Sequence, residues 1–298
     1  SGEELSAKEI GILNAEQQKG NFQYDKRQRC YAWSVLAILL LCQITNQWQR
    51  FVIGSAYYYS RDGDETNPKY SMKAAIPGFD EAKYGLVAGP AFTAFYAVFV
   101  LFTGVLADNY PRRLLLAVPC ILWSATSAAT AFANKFWFIA LMRLLLGAME
   151  AFIAPTSYSL ITDYFPPERR TTANAVFAFG IYIGTALSSV TISIIGAVGW
   201  RDAYAIIGIT GMSIGVLALV VVKNPPRGRF EAKMTTEQVE TDPSQTEPWL
   251  KRFFGGFGSI LRNRCSMWVL LGGACRFWQS FTMSYFLIAY FNLYDRPN

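Results

Sequence analysis

Two charged side chains interrupt an otherwise apolar stretch of the sequence, residues 136–162. Arg143 and Glu150 are seven residues apart, close to two turns of an α-helix, so both side chains project from the same helix face. A charge deep in a membrane costs at least about 2.5 kcal/mol on insertion scales and normally faces a partner or a water-filled cavity. The pair therefore predicts a cavity that handles a charged solute. The alternative is a purely structural ion pair between helices.

A second polar cluster lies in the apolar stretch of residues 31–59. Its side chains can all form hydrogen bonds and one is charged; they are Gln43, Thr45, Asn46, Gln47, Gln49 and Arg50. Unpaired polar groups are costly inside a bilayer, so we expect this cluster to line the cavity as well.

The residue inventory argues against several other kinds of site. The chain contains no histidine, which removes the commonest zinc ligand and the usual catalytic base. The five cysteines include no C-x-x-C pair, and four lie in or beside apolar runs, where a thiol behaves as a small hydrophobe. There is no nucleophile–base constellation and no G-x-x-x-x-G-K phosphate loop. We therefore expect neither an enzyme nor a metal site, cofactor or disulfide framework.

Composition and hydropathy patterning predict an all-α membrane protein. Of the 298 residues, 52% are hydrophobic and 16% are charged, against about 25% charged in an average soluble domain. A membrane-spanning helix needs about 20 mostly apolar residues. Seven stretches qualify, at approximately 31–59, 84–107, 114–133, 136–162, 175–198, 203–222 and 266–293. Four of them carry no charge, whereas the surface helices of a soluble protein would show charges at helical spacing.

Charge in the connecting segments predicts how the chain is oriented. Basic residues precede the first stretch and follow the second, fourth and sixth, among them Arg112, Arg113, Arg169, Arg170 and Lys223. The other loops are balanced, acidic or nearly uncharged. Because basic loops stay on the cytosolic side, we expect the N-terminus in the cytosol. The basic residues form no stripe, so the net charge of +6 does not indicate nucleic acid.

Four segments follow from this pattern. Residues 1–30 form a polar cytosolic N-terminal segment without a signal peptide, and residues 31–222 form a six-helix transmembrane bundle. Residues 223–264 form a cytosolic central linker, whose end is either an amphipathic interfacial segment or a plain lead-in to the next helix. Residues 265–298 form a seventh transmembrane helix that starts a second bundle, as in transporters built from repeats.

The loop after the second stretch carries a recognisable signature. It reads Gly104-Val-Leu-Ala-Asp108-Asn-Tyr-Pro-Arg112-Arg113, which resembles the G-x-L-a-D-r-x-x-R-R motif of the major facilitator superfamily. Gly104 permits close helix approach, and Asp108 can face the positive N-terminal end of a helix. Arg112 can pair with a carboxylate, for which Asp163 is the natural partner. The resemblance implies a gate that locks the outward-open state; the alternative is that Arg112 and Arg113 only anchor the topology.

Further motifs resemble the Spinster branch of that superfamily. The fourth stretch matches the R-x-x-x-G-x-x-E-A and A-P-T pattern of the branch with Arg143, Gly147, Glu150, Ala151 and then Ala154-Pro155-Thr156. Residues 199–201 (G-W-R) and 225–228 (P-P-R-G) are similar too. The resemblance covers about residues 31–228 and implies a 12-helix fold. This chain, with six helices and a seventh, would be an incomplete part of it.

The first stretch departs from the Spinster pattern at one residue. Members of the branch typically have N-x-x-D-R-Y/F there, and the Asp is the usual candidate for the coupling proton site. This chain reads Asn46-Gln47-Trp48-Gln49-Arg50-Phe51, so Gln49 replaces the acid and cannot titrate. A coupling proton would then have to bind Glu150, and a facilitator without proton coupling is equally consistent.

The resemblance implies a secondary transporter that carries an organic anion or amphiphilic lipid, of lysophospholipid or sphingoid phosphate type, by alternating access. Arg50 and Arg143 would hold the anionic head, and the candidate binding and coupling residues are Asn46, Gln49, Arg50, Arg143 and Glu150. A small carboxylate or phosphate-ester porter is one alternative. A transport-incompetent structural subunit of a membrane assembly is another.

The expected location is the plasma membrane or an endolysosomal membrane. Membrane lipids and the solute are the expected partners. Protons and other members of a membrane complex are further candidates.

Overall fold

The computed structural model describes residues 26–60, 66–225, 258 and 262–294. Within these ranges every regular element is a helix, which confirms the predicted all-α class. In chain order the helices are α1 (Lys26–Tyr58), α2 (Met72–Ala75), α3 (Glu81–Ala88), α4 (Pro90–Asn109), α5 (Arg112–Thr130), α6 (Phe136–Glu150), α7 (Ile153–Tyr164), α8 (Pro167–Val198), α9 (Trp200–Val221) and α10 (Arg264–Tyr294).

Six spans among the described residues are long and apolar enough to cross a membrane. They are α1, α3 with α4, α5, α6 with α7, α8 and α9. These are the first six predicted stretches. The seventh stretch is also helical, as α10, but it is not among the six, because residues such as Arg276 and Gln279 interrupt its apolar run.

The second and fourth spans each consist of two helices, whereas the sequence predicted continuous ones. The second is divided at Gly89, where α4 begins with Pro90. The fourth is interrupted at residues 151–152. Pro155 explains this second interruption, because its ring clashes with the carbonyl group of Ala151 and it has no N–H to donate. Glu150 is therefore the last residue of α6.

Two helices begin earlier than predicted. The fifth span starts at Pro167, eight residues before the expected 175, with Pro at its first turn and Glu168 beside it. Both are typical of a helix N-terminus, where an N–H is dispensable and negative charge is favourable. The first span starts at Lys26, inside the segment predicted as 1–30. Residues 1–25 and most of the predicted linker 223–264, including most of its amphipathic end, lie outside the described residues.

Glycines allow two pairs of spans to pack closely. The first pair is α1 and α8: a Cβ added at Gly184 would lie only 2.5 Å from the carbonyl oxygen of Ile44. Small residues permit this kind of close approach between membrane helices. The second pair is α5 and α9, where a Cβ at Gly208 would lie 2.6 Å from the Cβ of Ala128. Sequence reasoning did not anticipate this second contact.

A polar layer divides the apolar core into two parts. One cluster of buried apolar side chains includes Leu39 and Cys42 of α1, and the other includes Val52 and Ile53 of the same helix. Between them, residues 43–50 of α1 contribute buried polar and charged side chains. The helix that crosses both clusters therefore also carries the candidate site.

Candidate functional site

Arg50 of α1 forms a buried ion pair with Glu150 at the end of α6. The Glu150 Oε2 atom lies 2.8 Å from Arg50 Nη2 and accepts a hydrogen bond of 2.9 Å from Arg50 Nε. The two side chains are 8% and 0% exposed. Two N–H groups on one carboxylate oxygen fix the guanidinium plane, so the first and fourth spans are joined by a charge-assisted contact.

Arg143 reaches the same point of α1 from the interior of α6. Its Nη1 atom donates a hydrogen bond of 2.9 Å to the backbone carbonyl oxygen of Arg50, and its guanidinium lies beside the buried hydroxyl of Tyr204. Arg143 and Glu150 therefore share a helix face, as their spacing predicted. Two guanidinium groups and one carboxylate leave this buried cluster with one excess positive charge.

Two aromatic rings of α4 cover the Arg50 guanidinium. Its central carbon lies 4.7 Å from the centre of the Phe92 ring and 5.3 Å from that of Tyr96. Such contacts stabilise a cation through the negative face of the ring. Neither residue was predicted from the sequence, because both lie in an apolar stretch. Their four-residue spacing was the only feature of the sequence that could have indicated them. Gly147 permits the approach, since an added Cβ would meet the backbone of Phe92.

Asn46 extends the cluster by one turn of α1. Its Oδ1 atom accepts hydrogen bonds of 3.4 Å from Arg50 Nη2 and 3.3 Å from Gln47 Nε2. Asn46 Nδ2 and Glu150 Oε1 are buried and have no hydrogen-bond partner among the described residues. A buried polar atom without a partner is costly. Both atoms therefore have unused capacity to bind a solute.

Gln49 does not join this cluster, although it was predicted with it. Its Nε2 atom donates hydrogen bonds of 3.2 Å each to Ser124 Oγ of α5 and to the backbone carbonyl oxygen of Ile207 of α9. Adjacent residues of a helix point about 100° apart, so Gln49 and Arg50 face different neighbours. The glutamine at this position serves as a neutral link among three helices.

The other predicted cluster lies where several spans end together. Arg112 contacts Asp163 directly and also donates a hydrogen bond of 3.3 Å to the carbonyl oxygen of Ser159, so the expected pair is present. The backbone N–H of Arg112 donates to Asn224 Oδ1 at 3.2 Å. Arg113 Nε donates to the Leu219 carbonyl oxygen at 2.7 Å, in the last turn of α9. Together these contacts join the spans at one end of the bundle.

Gly104 and Asp108 are the other two predicted residues of the signature. Gly104 is exposed, and no described atom lies within 4 Å of a Cβ added there. Its predicted close helix approach is therefore not made with a described residue. Asp108 lies in α4, and its side chain lies outside the part that the structure describes.

A match to a protein-family model identifies the family to which this chain belongs. Residues 39–296 match the model of the Major Facilitator Superfamily. The chain belongs to the major facilitator superfamily. It is thus an integral membrane protein of the multi-pass type.

Relatives within the superfamily confirm the Spinster resemblance. The chain is 29% identical over 209 residues to Protein spinster of Drosophila melanogaster, covering 69% of this chain and 32% of that protein. It is 33% identical over 132 residues to the Sphingosine-1-phosphate transporter SPNS2 of Xenopus tropicalis, covering 43% and 26%. It is also 30% identical over 159 residues to the Hexuronate transporter of Bacillus subtilis (strain 168), covering 53% and 37%. The matched part of the chain spans about a third of the length of these relatives.

A solved superfamily structure has the same fold. It is the crystal structure of a bacterial homolog to the human lysosomal transporter Spinster, with a TM-score of 0.66 and 23% identity. The similarity covers 87% of this chain and 55% of that one. The helix arrangement described above is therefore that of a major facilitator superfamily bundle.

Proposed function

We propose that the full-length protein is a secondary transporter that moves an organic anion or an amphiphilic lipid by alternating access. Superfamily membership and the similarity to Protein spinster and to the Sphingosine-1-phosphate transporter SPNS2 support this proposal. One observation carries it: the buried cluster of Arg50, Arg143 and Glu150 has one excess positive charge. Burying unbalanced charge is costly, and an anionic substrate would offset that cost.

Each residue has a role in this proposal. Arg143 and Arg50 hold the anionic head group, while Phe92 and Tyr96 provide an apolar wall for the rest of the molecule. Asn46 offers its free amide N–H groups to the same head group. Glu150 competes with the substrate for Arg50, and it is the residue that would carry a proton if transport is proton-coupled. Gln49 takes a structural part in this scheme.

The proposal also covers the gate at one end of the bundle and the orientation of the chain in the membrane. The contact between Arg112 and Asp163 closes the end of the bundle where Arg169, Arg170 and Lys223 also lie. We place this basic end in the cytosol, because basic loops are retained on that side. Residues 1–30 and 223–264 would then be cytosolic, and residues 31–222 and 265–298 would belong to two helix bundles. The host membrane would be the plasma membrane or an endolysosomal membrane.

A second candidate is a porter of small carboxylates or phosphate esters. The similarity to the Hexuronate transporter of Bacillus subtilis supports it. The same two arginines would bind the smaller anion. Competition by small carboxylates distinguishes the two candidates. Small carboxylates should block transport by a small-anion porter, whereas the same concentrations should leave transport by a lipid transporter unchanged.

Transport by purified protein in liposomes tests the proposal. The full-length protein should move a fluorescent lysophospholipid or sphingoid phosphate across the membrane. Arg143→Ala should abolish this movement, because it removes one of the two charges that hold the head group. The matched control is Arg169→Ala, which removes an exposed arginine outside the cluster and should leave transport unchanged. Unchanged transport by the Arg143 variant would refute the assignment of the site.

A further inference from the structure

The segment that follows α9 is bound by side chains of three other helices. It comprises residues 222–224 and leads into the predicted linker. Val222 is fully buried, whereas the side chains of Lys223 and Asn224 are exposed. Polar backbone groups at and beyond a helix end are bound either by water or by side chains. Here side chains bind them.

Two tyrosine hydroxyls bind the backbone of Lys223. The Tyr31 hydroxyl of α1 accepts a hydrogen bond of 3.1 Å from the Lys223 N–H and donates one of 2.7 Å to the carbonyl oxygen of Val221. The Tyr164 hydroxyl of α7 donates a hydrogen bond of 2.6 Å to the Lys223 carbonyl oxygen. The two rings pack edge to face, with centres 5.8 Å apart. Both backbone groups of Lys223 are therefore held between α1 and α7.

The side chain of Asn224 binds the first backbone N–H of α5. Pro111, the residue before this helix, provides no side-chain hydrogen bond to it. Instead the Arg112 N–H donates to Asn224 Oδ1 at 3.2 Å, although the two residues are 112 positions apart in the sequence. An asparagine oxygen is among the acceptors that helix N-termini prefer. Asn224 therefore acts as a capping residue from a distant part of the chain.

These contacts converge on the two residues of the gate. Arg112 forms the ion pair with Asp163, and Tyr164 directly follows Asp163 in α7. The start of α5 and the end of α7 are thus joined twice, once by the ion pair and once through residues 223–224. Two contacts between the same helix ends stabilise each other, because each one fixes the distance that the other needs.

We propose that Tyr31, Tyr164 and Asn224 form a clasp on the start of the linker that keeps the gate closed, with Asn224 as the positioning residue for Arg112. The chain leads from Asn224 to α10, so a displacement of α10 reaches the gate through this clasp. The linker thus takes part in gating. The inference rests on the proposed transport function for the role of the gate, whereas the coupling between α5 and α7 is measurable without transport.

Hydrogen–deuterium exchange of the full-length protein in detergent tests the clasp. Asn224→Ala removes the acceptor for the Arg112 N–H, so the amides of residues 112–115 should exchange faster. The decisive site is the end of the other helix, where the amides of residues 162–165 should also exchange about 2-fold to 10-fold faster. That factor corresponds to the loss of one hydrogen bond. Faster exchange at residues 112–115 alone would contradict the clasp, because Asn224 would then only cap α5.

Tyr164→Phe tests the same coupling from the other helix. It removes the hydrogen bond to the Lys223 carbonyl oxygen and keeps the ring, so the effect on packing is small. Exchange should become faster at residues 112–115, at the start of α5. This variant decides the question if Asn224→Ala does not fold, and unchanged exchange at residues 112–115 would count against the clasp.

Two controls show whether the effects depend on these hydrogen bonds. Asn224→Asp keeps an acceptor oxygen and places negative charge at a helix N-terminus, which is favourable, so its exchange should be no faster than that of the wild type. Tyr110→Phe removes an exposed hydroxyl close to Arg112 in the sequence and should change neither site.

Transport measured from each side of the membrane connects the clasp with gating. Inside-out and right-side-out membrane vesicles with the full-length protein are given a fluorescent sphingoid phosphate. Loss of the clasp favours the form that is open to the cytosol, so Asn224→Ala should lower the KM at the cytosolic face about 2-fold to 10-fold and raise it at the opposite face. A purely structural role would change both KM values in the same direction.

The two measurements separate this inference from the function on which it rests. Wild-type vesicles that do not move the lipid would refute the proposed function and leave the exchange results valid. Wild-type transport would leave only the clasp refuted in either of two cases. In one, faster exchange is confined to the helix next to the substitution; in the other, the two KM values change in the same direction or not at all.

Discussion

Arg50 and Glu150 are one hundred residues apart in the sequence, yet they form a buried ion pair. Glu150 can reach Arg50 from the last residue of α6, directly before the interruption at residues 151–152. The C-terminal end of a helix carries a partial negative charge, which adds to the attraction for the guanidinium. The break in the fourth span and the buried pair are therefore parts of one arrangement.

Pro155→Ala should weaken transport and lower the stability of the protein. Alanine can donate the missing N–H and favours a continuous helix, which would change the angle between α6 and α7 and disturb the contact of Glu150 with Arg50. We expect slower transport in liposomes and a lower melting temperature in detergent, because a buried ion pair is weakened. Pro119→Ala, which removes a proline inside the continuous helix α5, is the control and should leave transport unchanged. Normal transport by the Pro155 variant would show that the break does not position Glu150.

Glu150→Gln should destabilise the protein and increase the stabilisation that a bound anion gives it. Removing one partner of a buried ion pair costs about 3–5 kcal/mol, because the other charge is left uncompensated. The melting temperature should fall, and a saturating anionic amphiphile should raise it by more than in the wild type. The double variant Arg50→Gln with Glu150→Gln should be less unstable than Glu150→Gln alone. A double variant at least as unstable as the single one would contradict the buried pair.

Gln49→Glu should lower stability and create no new coupling site. An ionised carboxylate cannot donate to Ser124 Oγ or to the Ile207 carbonyl oxygen, as the amide does. Losing a buried hydrogen bond in this way costs about 1–3 kcal/mol. Thermal unfolding in detergent measures the loss, and proton uptake during transport should match that of the wild type. A variant that is as stable as the wild type and gains proton-driven uptake would mean that Gln49 faces the solute pathway.

Gly184→Ala should loosen the contact between α1 and α8. The added methyl group would lie 2.5 Å from the Ile44 carbonyl oxygen, which is too close for the backbone of α1 to stay in place. Overpacking of this kind costs about 1–3 kcal/mol, measured as a lower melting temperature. Gly85→Ala is the matched control, because nothing lies within 4 Å of its added methyl group. Equal stability of the two variants would argue against close packing at Gly184.

Cysteine labelling should show that the basic end of the bundle is cytosolic. In a background with the exposed Cys30, Cys265 and Cys275 replaced by serine, Asn134→Cys and Glu168→Cys each place one exposed thiol at a helix end. A membrane-impermeant maleimide applied to intact cells with the protein at the plasma membrane should label position 134. Position 168 should react only after permeabilisation. The reverse pattern would invert the proposed topology.

Local properties of the sequence determined much of this fold. Hydropathy is a sum over neighbouring residues, so it located the six spans correctly to within a few residues at most ends. The shared face of Arg143 and Glu150 follows from helical periodicity alone. The pairing of Arg112 with Asp163 followed from a motif and the predicted topology. The interruption at residues 151–152 could also have been read from Pro155, because the effect of proline on a helix is local.

Only the tertiary structure decided which partner each polar side chain of α1 has. Arg50 faces α4 and α6, whereas its neighbour Gln49 faces α5 and α9. Which helices the side chains of α1 contact depends on how far α1 is rotated about its axis. Close contacts such as the one at Gly184 set this rotation. The sequence shows that α1 carries a polar cluster. It does not show the rotation, because contacts between helices distant in the chain produce it and no local pattern encodes them.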